Sequence, residues 1–130
     1  MKELNIDTIK CDSALKKNGV YKIFLFKDEK PLTIPRFLGN DENGLVYIGA
    51  AEKTALVYRL TCFLASKNSK TKQNNHSGGT KIKLNGKLLE LTNDLVFMYE
   101  VLLTPDAKEK EREIIKNYVT DFGEVPPLNG

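Results

Sequence analysis

Three short runs dense in aromatic and β-branched residues constrain this chain most. They are residues 19–26 (Gly19-Val20-Tyr21-Lys22-Ile23-Phe24-Leu25-Phe26), 45–49 (Leu45-Val46-Tyr47-Ile48-Gly49) and 94–103, centred on Leu95-Val96-Phe97-Met98-Tyr99. Runs of this length and composition are strands. In the first, Tyr21, Ile23 and Leu25 share a face; in the second, Tyr47 shares one with Leu45 and Gly49. Elsewhere the apolar spacing is helical. Leu56, Val57, Leu60, Phe63 and Leu64 predict a helix over 53–66, capped near Thr54. Ala107, Ile114, Ile115 and Tyr118 predict another, running to about residue 119 and opened by Thr104-Pro105-Asp106 with Pro105 at its first position.

The remaining segments are punctuated by turn formers. Residues 1–18 are polar and irregular, with a short helix over 13–17. Pro31, Pro35, Gly39 and the polar cluster 40–44 mark a long loop or hairpin excursion between the first two strands, which would pair antiparallel. Residues 67–80 read as a polar surface loop; 80–91 fit a helix or a ribbon equally, and Pro126 and Pro127 extend the C-terminus. Elements in this order make one α/β (α+β) domain over residues 1–130. At 14.7 kDa the chain has no room for a second core.

Composition excludes several classes. Cys11 and Cys62 are too few and too distant for a disulfide framework or zinc knuckle, and a lone His76 excludes a multi-histidine centre. No apolar run approaches the length of a membrane span, and the charged N-terminus lacks a signal-peptide core. A cytoplasmic protein with no membrane partner is expected.

Charge is segregated rather than scattered. Residues 53–89 contain no Asp or Glu but carry Lys53, Arg59, Lys67, Lys70, Lys72, Lys81, Lys83 and Lys87. The rest of the chain holds 12 basic against 17 acidic residues. A basic middle on an acidic body suits a polyanion touching one face; the plainer alternative is a solvated lysine-rich loop. Of these residues, Lys53, Lys67, Lys70, Lys72, Lys81 and Lys83 are the candidate nucleic-acid contacts.

Glu111 falls in the middle of the apolar stripe of the last helix, whereas Glu109 and Glu113 fall on its solvated side. A carboxylate there needs a partner: a lysine or arginine in an ion pair, or a metal or reacting group. Arg59 lies at the margin of the first helical stripe, where its guanidinium either snorkels or enters a groove. Tyr21 and Tyr47 lie on neighbouring strands, so their hydroxyls either converge or simply pack.

Taken in order, Gly19-Val20-Tyr21, Tyr47-Ile48-Gly49, helical Arg59, Glu111 before Ile114-Ile115, and Pro127-Leu128-Asn129 resemble the GIY-YIG nuclease family over about residues 19–129. The resemblance implies a small central three-stranded antiparallel sheet flanked by helices. It also implies metal-dependent endonuclease activity: hydrolysis of DNA phosphodiesters with one Mg2+ or Mn2+. By resemblance, Glu111 would be the metal ligand and Arg59 the phosphate clamp. Tyr21 would be the general base or orient the attacking water. Tyr47 would bond the phosphate or the nucleophile, and Asn129 would brace the site. His76, in the basic loop beside Gly78-Gly79, is a further candidate. Phe63 stands where restriction-type members often have a histidine. Tyr21 and Tyr47 are also 26 positions apart, further than is usual in the family.

With no second domain, DNA specificity would come from the 27–43 excursion, the basic loop, a homodimer or a partner protein. The alternative of another class is a non-catalytic nucleic-acid-binding module on the same scaffold. A third, a basic protein-interaction domain, predicts Glu111 paired with a lysine and no cleft containing both tyrosines.

Overall fold

The computed structural model describes residues 1–68 and 94–130. The centre is an antiparallel sheet. Its middle strand, β2 (Gly19–Lys27), pairs on one side with the eight-residue strand Val96–Leu103 and on the other with Leu45–Ala51. In chain order the strands are β1 (Lys2–Glu3), β2, β3 (Lys30–Pro31), β4 (Ile34–Arg36), β5 (Gly39–Asp41), β6 (Leu45–Ala51) and β7 (Val96–Leu103). Among the described residues three helices join them: α1 (Ile6–Cys11), α2 (Leu56–Asn68) and α3 (Ala107–Phe122), with a 3-10 turn over Ser13–Lys16.

The sheet is larger than the three strands implied by the resemblance. The β6-β2-β7 core is there, but β1 adds to the outer edge of β7 and β3 pairs with the end of β2, giving five strands. A separate two-stranded ribbon, β4-β5, forms within the excursion. These additions are strands of two or three residues, too short to carry a readable alternation.

Alternation along β2 divides the core between two faces. Tyr21, Ile23 and Leu25 pack with Ile9, Leu15, Leu56, Leu60 and Phe63, so α1, the 3-10 turn and α2 cover that face. Val20 and Phe24 pack with Ile48 and Tyr118, so α3 covers the other. Burial on both faces explains why β2 is nearly continuous in apolar residues.

One irregularity bears on the site. The β2–β6 register shifts between Ile23, opposite Tyr47, and Phe24, opposite Leu45. Val46 is the extra residue of a β-bulge. The bulge turns Val46 and Tyr47 to the α2 face, and Leu45 goes to the α3 face, not to the face of Tyr47 as strict alternation predicts.

Helix boundaries also differ from the periodicity. α2 begins at Leu56, because the preceding residues form a loop whose Thr54 carbonyl accepts the Asn18 side-chain amide. α3 has Asp106 as its N-cap, leaving Pro105 outside the helix; it runs three residues past 119, to Phe122, and closes on left-handed Gly123. The short α1 is set by Asn5, whose side chain accepts from the Thr8 amide.

The C-terminus does more than extend. The Leu128 amide donates to the Val46 carbonyl. Asn129 accepts from the Ile48 N–H at 2.9 Å and donates to the Ile48 carbonyl at 2.8 Å. The tail thus occupies the free edge of β6.

Candidate active site

The two motif glycines explain themselves in the strands. Gly49 is directly opposite Tyr21, and a Cβ there would overlap the Tyr21 ring and hydroxyl. Gly19 lies against the Leu102 carbonyl, which a Cβ would overlap. One glycine seats the tyrosine ring; the other lets β2 and β7 approach. Tyr21 then meets Tyr47 edge to face, with ring centroids 6.0 Å apart at 72°.

Both rings are buried, and they line a cleft of about 400 Å3. Arg59, at the end of the first turn of α2, and Glu111, on the second turn of α3, enter it from different helices. Lys53 and Thr54 from the β6–α2 loop, Glu52, Ala50 and Lys108 complete the lining. Four elements and the β6–α2 loop therefore deliver two phenols, a guanidinium, two carboxylates and two ammonium groups to one concave surface. A larger cavity, about 470 Å3, lies between β2 and the C-terminal half of α3. It is lined by Lys22, Asp41, Glu100, Tyr118 and Asp121 but by no arginine, and Asp41 is taken up by the Tyr118 hydroxyl and the Asn43 amide. The guanidinium beside two phenols and a half-buried carboxylate, rather than size, singles out the smaller cleft.

The electrostatics of the cleft are those of partly dried groups. Burial pushes the Tyr21 hydroxyl well above the usual tyrosine value, and Tyr47 adds to the shift; the Arg59 guanidinium, hydrogen-bonded to it, pulls the other way without prevailing. Burial opposes the charge on Arg59, but Tyr21 and Tyr47 outweigh it, so its titration is raised above the ordinary arginine value. Burial raises Glu111 above the ordinary carboxylate range, against the pull of Lys108, Arg112 and Arg59. Among the described residues Glu111 forms no ion pair. It is half-buried beside Ala107, Ile114 and Ile115 on the packed side of α3.

Other predicted residues are placed differently. Asn129 does not line the cleft: both ends of its side chain are taken by the Ile48 backbone, between Tyr47 and Gly49, so it fixes the strand rather than touching a ligand. Lys53 lines the cleft and is exposed. Lys67 lies within α2, while Lys70, Lys72, Lys81, Lys83 and His76 fall outside the described residues. Phe63 is fully buried in the core, edge to face with Phe97.

Sequence reasoning missed Glu52, Thr54 and Lys108. The first two lie three and five positions after Gly49, where a strand end turns into a loop beside the motif. Lys108 is one turn before Glu111. Those adjacencies were the available signals.

Among the described residues no group of three or more His, Cys, Asp or Glu could hold a metal ion. A cation at Glu111 would have one protein carboxylate, with Glu52 the other carboxylate on the cleft wall. Comparison of the chain with family models, curated proteins and solved structures finds no match.

Proposed function

We propose that the chain is a metal-dependent endonuclease of GIY-YIG type that hydrolyses phosphodiester bonds in DNA. The observation that carries this reading is the convergence of Tyr21, Tyr47, Arg59 and Glu111 in one cleft. Neither feature predicted for an accidental resemblance is present: both tyrosines line that cleft, and among the described residues Glu111 has no lysine partner.

The residues present fit a hard divalent cation. A half-buried carboxylate without an ion pair, raised by its own burial, gains from a cation beside it. A single carboxylate suits Mg2+ or Mn2+, which keep several waters and take phosphate oxygens, better than it suits a closed zinc site. Held by Glu111, such an ion would supply Lewis-acid charge to a phosphate oxygen.

The chain's own groups supply the rest. Arg59 donates to a non-bridging oxygen of the scissile phosphate and opposes the charge that grows there. Lys53 and Lys108, on the rim, attract the flanking phosphates. Tyr21 keeps its proton at neutral pH, because burial disfavours the phenolate. Of the two roles open to it, orienting the attacking water suits this environment better than acting as a free base. Tyr47, on the neighbouring strand, bonds the phosphate or that water.

The test is nicking of supercoiled plasmid and of branched DNA by the full chain with Mg2+ or Mn2+, against the same reaction in a chelator. Metal-dependent nicking that Arg59→Ala abolishes supports the reading. DNA binding without cleavage assigns the scaffold to the non-catalytic module, and neither binding nor cleavage removes DNA as the partner.

A further inference from the structure

Residues 17 and 18, just before the first motif glycine, hold three segments together. The Asn18 side-chain nitrogen donates to two carbonyls of the β6–α2 loop, Glu52 at 3.1 Å and Thr54 at 2.7 Å. The Asn18 carbonyl accepts from the Thr104 amide at 3.3 Å, where the chain leaves β7 toward α3. The Lys17 carbonyl accepts from the Leu56 amide at 2.9 Å, at the first residue of α2. The segments gathered this way carry Tyr21, Lys53 with Arg59, and Glu111 into the cleft.

Glu52 completes the link. Asp106, at the N-cap of α3, makes no side-chain cap bond. The acceptor comes from across the cleft: Glu52 Oε1 accepts from the Lys108 amide in the first turn of α3, at 3.4 Å. A carboxylate at a helix N-terminus meets both orphan N–H groups and the positive end of the dipole. Glu111 is on the following turn.

We infer that Asn18 is a positioning residue: by clamping the Glu52–Thr54 loop it lets Glu52 hold the first turn of α3, and so sets Glu111 against Arg59. This rests on the nuclease reading above. The residue type matters because a primary amide places two N–H donors on one atom, one for each carbonyl. Aspartate has the same shape but would face both carbonyls with oxygen. Asn18 is exposed and makes no part of the core, so its variants should fold.

The experiment compares the full-length wild type with Asn18→Asp, Glu52→Gln and Glu52→Ala, by plasmid nicking and by amide hydrogen exchange at Lys108. A misplaced Glu111 lowers kcat by about tenfold or more. KM for DNA should change less than kcat, since the long rim lysines tolerate a small displacement that a carboxylate at the reacting phosphate does not. Glu52→Gln keeps an acceptor oxygen and should retain most of the rate that Glu52→Ala loses. Asn18→Asp should speed exchange at the Lys108 amide, which Asn18 does not touch. Wild-type kcat in Asn18→Asp, or a loss explained by its unfolded fraction, overturns the proposal. If the wild type itself does not nick DNA, the nuclease reading fails, and the exchange measurement decides alone. Faster exchange at Lys108 in Asn18→Asp then upholds the clamp, and unchanged exchange refutes it.

Discussion

Glu111 is held in a folded state that disfavours its charge, and the sign of the consequence is definite. Its carboxyl titrates higher in the folded chain than in the unfolded one, because burial outweighs Lys108, Arg112 and Arg59. The folded state therefore binds more protons across that interval, and stability falls as pH rises from the ordinary carboxylate range through the folded value. Glu111→Gln should raise Tm at neutral pH, with the difference vanishing at pH below the ordinary carboxylate range. Thermal melts across pH check it. Mg2+ or Mn2+ should raise the Tm of the wild type but not of this variant. Gly49 belongs to the same scale: Gly49→Ala puts a methyl into the Tyr21 ring and should destabilise by about 1–3 kcal/mol, read by urea denaturation.

Among the elements, β6 owes its position to the C-terminal tail. Asn129 supplies one donor and one acceptor to Ile48, as a neighbouring strand would. Asn129→Ala should cost about 1–3 kcal/mol in urea denaturation, since both Ile48 groups lose their partner. Asn129→Asp should cost more at neutral pH, because a carboxylate faces the Ile48 carbonyl. The long strands and both long helices were legible in the sequence because Tyr21, Ile23, Leu25 and the Leu56–Leu60–Phe63 spacing follow one period over many residues. The short elements were not. β1, β3, β4 and β5 span two or three residues each, below any period. The bulge at Val46 depends on the partner strand, which no local pattern records. The cleft was half legible: Tyr21, Tyr47, Arg59, Lys53 and Glu111 could be picked out. Glu52, Lys108 and the Asn18 clamp depend on which loops meet in space.

Over the whole molecule, the cleft and the excursion lie toward opposite ends of α3. The β4-β5 tip is tied to the C-terminal end of that helix. Arg36 bonds Glu124 and the Val125 carbonyl, and the Leu38 amide donates to the Phe122 carbonyl. Glu111 and Phe122 are eleven residues apart, about 16 Å along the axis. The exposed tip residue Phe37 is therefore remote from the chemistry, and Phe37→Ser should leave both Tm and nicking rate unchanged. On the proposed reading, phosphate attraction belongs to the rim instead. Lys53→Ala and Lys108→Ala should each weaken DNA binding across all sequences and reduce the slope of log affinity against log salt by about one. Binding isotherms at several salt concentrations measure that slope.

The measurement that meets the central claim most directly is nicking of supercoiled plasmid with Mg2+ or Mn2+ by the wild type and by Glu111→Gln, with DNA binding followed in parallel. The account predicts metal-dependent nicking by the wild type, its loss in a variant that folds at least as well, and retained binding by both. Equal nicking by the two proteins, or binding by both with no nicking by either, would contradict it.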